Sequence, residues 1–382
     1  MLTNNLNSII NMTEFSENNF KIGIAITPEE KREIYHFRYQ TYIEEMSKQI
    51  DHVDHNNELL YDDLDEWAFL LYAKIDSKII ATIRINLGTL ADFPRVLVKF
   101  LSLNTFLGSS TKYYNQKFTY VAKLIVSPSH RNSPALYLLI AKCYDFSCSN
   151  GVEFGFSACN FHLLRLYEQM GWHRYSKNFL DPGYGLLAPI VMCGGDIEHF
   201  RRIRSPLFRV ARKREIVNTQ AVQWFYEKFI RHSPVINSQM VTEEELWFVL
   251  CKFLDSSPTE TIRILGELSE AEAKKFLHSC SSLVQCDTGD RITTQGDISY
   301  SYNILLSGKL QSLTFQHPIK EYAIPGQSFG ANGLTEHNKH TEDIEAVSAV
   351  ELLVLSGMAF PRFFHSHPDI AHKIVRNLSN SR

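Results

Sequence analysis

The stretch "NFHLLRLYEQMGW", residues 160–172, reads as a helix led by Asn160. It carries Tyr167 and stops at Gly171, directly before Trp172. A glycine at such a stop lets the backbone turn left-handed, a conformation other residues resist. On pattern alone Tyr167 is a core aromatic of an amphipathic helix, but its phenol hydroxyl is also a proton donor. Upstream, "VEFGFSA" (152–158) and "FTYVAKLIVSP" (118–128) read as strands. Between them "HRNSPALYLLIAKCYDFSCSNG" (130–151) reads as a helix closed by Gly151, and "GLLAPIVMC" (185–193) supplies a last strand. The run is strand-helix-strand-helix-strand.

Further upstream, "EWAFLLYAKIDSKIIATIRIN" (66–86) predicts two strands joined at Asp76-Ser77. In the second, Thr82, Arg84 and Asn86 share one face, while Ile83 and Ile85 share the other. "ITPEEKREIYHFRYQTYIEEM" (26–46) opens a helix with a capping box: Thr27 at the N-cap, Pro28 at the first position and Glu30 reaching back.

The chain has 382 residues, enough for two or three domains, with 44% hydrophobic and 21% charged content. A formal net charge of -3 gives no bulk attraction to nucleic acid. The start "MLTNNLNSIINMTEF" lacks the basic and apolar regions of a signal peptide, and no window reaches the ~18 apolar residues of a membrane span. The seven cysteines form no CxxC pair, and their odd number suits free thiols in a reducing cytoplasm. No metal site is expected.

The run from 117 to 172 resembles the GNAT superfamily of N-acyltransferases, in which an Asn-led helix bears a Tyr before a Gly-aromatic pair. The resemblance implies that Tyr167 donates a proton or hydrogen bond to the departing thiolate. It also implies that Asn160, Arg131 and the backbone near Leu124 and Val126 meet the acyl donor, with strand amides polarising the thioester carbonyl. The loop that cradles pyrophosphate in that superfamily runs R/Q-x-x-G-x-G/A. Here it is "RNSPAL", Arg131 to Leu136. Pro134 and Leu136 replace small residues and Pro134 removes an amide donor, which disfavours a plain acetyl-CoA enzyme.

A subgroup, the acyl-homoserine-lactone and N-acyl amino acid synthases, resembles residues 20–195 more closely. Its features are an Arg on the first helix, a D-x-x-D pair and an Arg in the next strand pair. The matching residues are Arg38, Asp62, Asp65 and Arg84. The resemblance implies a long acyl chain, delivered as an acyl carrier protein (phosphopantetheine) or CoA thioester to a small amine acceptor. Carboxylates beside guanidinium groups would hold that amine; the same residues also suit a structural ion-pair network. The lactone synthases carry E-x-x-R where this chain has Tyr120 and Lys123, so lactone formation is not expected. The tail of this region, from 167 to 192, resembles bacterial members fused to a regulatory domain.

"TGDRITTQGDISYSYNILLSGKL" (288–310) resembles the cyclic-nucleotide-binding domain at Gly289, Ile292, Gly296, Asp297, Ile304 and Gly308. These positions build turns of a β-roll and say little about ligand. Where that family has a ribose-binding Glu, this chain has Ala331; where it has a phosphate-binding Arg, it has His340. Cyclic AMP is therefore expected to bind weakly or not at all. The chain ends at "IVRNLSNSR" without room for a helix-turn-helix, which argues against a transcription factor and nucleic-acid binding.

The fold expected is α+β: a GNAT-type mixed twisted sheet flanked by helices, a helical linker, then a β-roll (jelly roll) with helices. The segments are 1–200 for the acyltransferase domain, 201–261 for a basic helical linker and 262–382 for the cyclic-nucleotide-binding-like domain. Arg201, Arg202, Arg204, Arg209, Arg212, Lys213 and Arg214 crowd the start of the linker. This basic run suits an acidic acyl carrier protein, an anionic membrane surface or solvent. The rival to the enzyme is a non-catalytic sensor of an acyl ligand or cyclic nucleotide.

Overall fold

The computed structural model describes residues 15–17, 20–51, 53–108, 116–131, 133–215, 219–231, 233–313 and 320–380. The chain divides into two compact units, 1–158 with 190–232 and 159–189 with 233–382. Residues 160–172 thus belong to the second unit. The segment 201–261, drawn from composition as a linker, is shared between the two.

The first unit opens with the hairpin β1 (Phe15–Glu17) and β2 (Phe20–Ile24), then helix α1 (Pro28–Tyr39). The sequence reading had placed no strand before this helix. The expected capping box is formed: Glu30 N–H donates to Thr27 Oγ1 at 3.2 Å and Thr27 N–H donates to Glu30 Oε2 at 3.1 Å. The helix widens into a π-helical turn over Gln40–Glu45. β3 (Phe69–Ile75) and β4 (Lys78–Gly88) form the expected hairpin. Asp76 and Ser77 have φ of 47° and 67°, the left-handed pair that a two-residue hairpin turn demands.

After the short α2 (Arg95–Phe100) comes β5 (Phe118–Val126), antiparallel to β4, then α3 (Ala135–Ser149) and β6 (Phe154–Cys159), which runs parallel to β5. Helix α3 starts at Ala135, after Pro134, rather than at His130 as its sequence pattern predicts. Residues 128–130 form a separate 3₁₀ turn. These six strands neighbour one another in the order β1-β2-β3-β4-β5-β6.

The chain then crosses into the second unit for α4 (Leu164–Met170), β7 (His173–Arg174) and β8 (Phe179–Asp181). It returns along β9 (Gly185–Cys193). The first unit closes with α5 (Ile197–Arg202), α6 (Leu207–Lys213) and α7 (Gln220–Phe225). Phe225 and Phe229 pack rings against Phe106, which also meets Phe154 of β6 at 5.1 Å between centroids. These aromatics explain why a polar-looking segment folds onto this unit.

The rest of the second unit is α8 (Glu243–Leu254), α9 (Pro258–Thr261), α10 (Glu270–Cys280), strands β10 to β17 between Ser281 and Ser356, α11 (Phe360–Ser366) and α12 (Pro368–Ser379). The strands are β10 (Ser281–Cys286), β11 (Arg291–Thr293), β12 (Ser301–Ser307), β13 (Leu310–Ser312), β14 (Glu321–Tyr322), β15 (Ser328–Phe329), β16 (Ile344–Ala346) and β17 (Val350–Ser356). They form two four-stranded sheets, ordered β10-β17-β12-β15 and β11-β16-β13-β14, the expected β-roll. Its core joins Leu250 of α8, Phe276 of α10, Leu353 of β17 and Phe363 of α11. Residues 159–189 are tied in by a buried pair: Arg174 Nε donates to Glu168 Oε1 at 2.9 Å, and Arg174 Nη1 donates to the Leu283 carbonyl at 2.7 Å. Glu168 Oε2 accepts from the Ser238 N–H and hydroxyl. No described helix is long and apolar enough to cross a membrane.

Candidate functional site

Arg38, Asp62, Asp65 and Arg84 meet in the first unit, although they come from α1, a short turn and β4. The turn explains the spacing of the two aspartates. Residues 63–65 form a 3₁₀ turn in which Asp62 Oδ1 accepts the Leu64 N–H at 3.0 Å and Asp65 Oδ2 accepts the Asp62 N–H at 3.0 Å. The D-x-x-D spacing is therefore a capping box, a reading absent from the sequence analysis. Asn86, two residues beyond Arg84 on the same strand face, donates to the Leu64 carbonyl at 2.7 Å and anchors the turn.

Arg38 Nη1 donates to Asp65 Oδ1 at 2.8 Å. Arg84 Nη1 bonds Asp62 Oδ1 and lies 3.2 Å from Asp65 Oδ2. Lys123 Nζ stands 3.5 Å from the other Asp62 oxygen. Arg38, Asp65 and Arg84 are buried, whereas the Asp62 side chain is 41% exposed. The buried three form a charged floor, and Asp62 is the carboxylate that a solute can reach. Arg38 Nε and Nη2 and Arg84 Nε are buried without a hydrogen-bond partner among the described residues. Burial pushes the Asp62 carboxyl up, but the Arg84 and Lys123 cations outweigh it and hold the group below the usual carboxylate range. Lys123 has its pKa lowered: burial comes first, the Arg84 cation adds to it, and Asp62 opposes.

Lys123 sits at an irregularity of β5. Thr82 pairs with Ile125 and Arg84 with Ala122, so β5 carries one extra residue opposite Ile83, a β-bulge. Lys123 takes the left-handed φ of 54° there. Of the two positions expected at the donor carbonyl, Leu124 adjoins the bulge, and Val126 is back in register with Ala81. Arg131 forms an ion pair with Glu45 of the π-helical turn. The Tyr120 position faces Asn86 across the ladder.

Tyr167 and Asn160 lie in the second unit. Tyr167 is buried on α4, edge-on to Trp172 with ring centroids 5.9 Å apart. Gly171 ends the helix at φ 110°, as its position predicts. Asn160 Nδ2 donates to the Tyr184 carbonyl at 2.9 Å, so its amide fixes the loop before β9. Glu168, which holds Arg174, is a partner the sequence reading missed; an isolated Glu six residues before an Arg carries no periodic signal.

In the β-roll, Gly330 has φ 73°, and a Cβ there would meet the His340 ring at 3.1 Å. His340 Nδ1 accepts the Ala331 N–H at 3.1 Å. The imidazole thus lies over the Gly330-Ala331 turn and occupies the Ala331 amide.

Residues 37–141 match the acetyltransferase (GNAT) domain family, and residues 283–367 match the cyclic nucleotide-binding domain family. None of the curated proteins compared with the chain matches it. Among solved structures, the N-acyl amino acid synthase FeeM from uncultured soil microbes is similar at 13% identity and a TM-score of 0.39, over 50% of this chain and 97% of that one. A cyclic nucleotide-binding domain from Methylobacillus flagellatus KT is similar at 17% identity and a TM-score of 0.30, over 35% of this chain and 75% of that one. The N-terminal domain of a transcriptional regulator from Streptomyces coelicolor A3(2) is similar at 19% identity and a TM-score of 0.29, over 34% of this chain and 89% of that one.

Proposed function

We propose that this chain, which joins an acetyltransferase (GNAT) domain to a cyclic nucleotide-binding domain, is an N-acyltransferase that moves a long acyl chain from a thioester to a small amine. The observation that carries the reading is one reachable carboxylate, Asp62, held on a buried Arg38-Asp65-Arg84 floor beside a bulged strand. An acceptor ammonium is bound by Asp62, and its partners fix where that carboxylate points. Backbone amides near Leu124, beside the bulge, polarise the thioester carbonyl. Tyr167, by the role its sequence context implies, donates a hydrogen bond to the departing thiolate. Its test is Tyr167→Phe, which should slow thiol release without moving the acceptor KM.

The donor is a long-chain thioester, on acyl carrier protein or CoA, because Pro134 and Leu136 remove the amide cradle that favours a plain acetyl-CoA. Arg202, Arg204, Arg209, Arg212 and Lys213 are exposed along α5, α6 and the turn between them and suit an acidic carrier. The β-roll acts as a regulatory or structural module that does not bind cyclic nucleotide, His340 filling its turn. The purified chain should release thiol from palmitoyl thioesters at least ~10-fold faster than from acetyl-CoA in the presence of free amino acids. Equal rates with acetyl-CoA would contradict the donor assignment.

A further inference from the structure

The two guanidinium groups of the polar cluster cannot give up a proton in this pH range. Asp65 uses both oxygens, on Arg38, on Arg84 and on the Asp62 N–H. Asp62 is held by Arg84 and capped by Leu64 N–H. A carboxylate so engaged is a weak base, and no carboxylate stands at position 120, where this chain has tyrosine. The acceptor must nevertheless lose two protons on its way from ammonium to amide. Among the described residues, the amine that stands beside this cluster is that of Lys123. Its Nζ is 3.5 Å from Asp62 Oδ2, its side chain is 9% exposed, and the bulge with φ 54° aims it at the cluster instead of along a regular ladder. A left-handed lysine is costly, and such strain is retained where a side chain must point one way.

We propose that Lys123 is the general base of the transfer, an inference that rests on the N-acyltransferase reading above. The acceptor ammonium binds Asp62, and the neutral Lys123 amine takes its first proton. The freed lone pair attacks the thioester carbonyl carbon, the C–N bond forms and the carbonyl electrons move to oxygen. Collapse restores the carbonyl and breaks the C–S bond. The nitrogen's second proton goes to the departing thiolate, which leaves as thiol, and Lys123 returns its proton to water. The groups facing Lys123 fit this cycle: Arg84 on β4 and Arg38 on α1 disfavour its charge, while Asp62 favours it. The Tyr42 ring of the π-helical turn lies 5.8 Å from Nζ, and like Asp62 it favours the charge.

The test uses the full chain, palmitoyl-CoA and a mixture of the free amino acids, with thiol release followed from about pH 6 to about pH 10. The wild-type rate should climb with pH and level off below the ordinary lysine value of 10.5. Lys123→Arg keeps the charge but cannot deprotonate. It should lose ~100-fold or more of the rate at neutral pH, with the limb displaced upward to the acceptor's own ammonium. Independently, competitive labelling of Lys123 Nζ with acetic anhydride, read by mass spectrometry across the same range, should give a midpoint below 10.5. A Lys123→Arg variant with the parent's rate and limb overturns the proposal, as does a midpoint at or above the ordinary value; either leaves the transferase reading standing. No thiol release from the wild-type chain with any of these acceptors overturns both.

Discussion

At Arg84, one guanidinium nitrogen serves two carboxylates in a place that water does not reach. Removing it leaves Asp65 buried with Arg38 as its remaining cation. Arg84→Ala should therefore lower the unfolding free energy by ~3–5 kcal/mol in a denaturant titration. A change under ~1 kcal/mol would mean that the floor is not a stabilising network. The gentler probe is Asp62→Asn, whose side chain can still accept the Leu64 N–H. It should raise the acceptor KM by ~10-fold or more and leave donor KM unchanged. Lys123 supplies a stability test of its own. Its folded pKa lies below the unfolded 10.5, so between the two values the unfolded chain binds more protons and stability rises with pH. Below that window the cost of charging the buried amine is fully present. Lys123→Met should be more stable than its parent at neutral pH, with the gap closing toward pH 10.5. A gap independent of pH would contradict the lowered value.

Among the elements, those with local chemistry were legible in the sequence. The Thr27 box, the Asp76-Ser77 turn and the stop at Gly171 each need a residue type at a fixed offset, and each is formed. Gly171→Ala should cost ~1–2 kcal/mol in thermal unfolding, because its φ of 110° strains any Cβ. What was not legible depends on partners far along the chain. The π-helical turn at Gln40–Glu45 carries Tyr42 toward Lys123, and the bulge at Lys123 is set by the register against β4. Nothing near "VAKLIV" announces an extra residue. The four charged residues of the cluster could be nominated from their order, but their division into a buried floor of three and one open carboxylate is a matter of packing.

At the scale of the whole molecule, the helix that carries Tyr167 shares a compact unit with the β-roll. The buried Glu168-Arg174 pair holds that helix to the Leu283 carbonyl of β10. Arg174→Met should destabilise this unit by ~3–5 kcal/mol, since it leaves Glu168 buried without its cation. The composition shift after residue 196 suggested a linker, yet the rings of Phe225 and Phe229 bury their segment in the first unit, a tertiary effect that composition does not encode. In the β-roll, calorimetric titration with cyclic AMP at neutral pH should show no micromolar binding, because His340 covers the turn and Ala331 offers no ribose acceptor. The measurement that reaches the central claim most directly is mass spectrometry of lipids from cells expressing the full chain, compared with cells expressing Asp62→Asn and cells expressing neither. Long-chain N-acyl amines are expected in the first and a marked fall in the second. A lipid profile with no N-acyl amines beyond those of cells lacking the chain would contradict that claim.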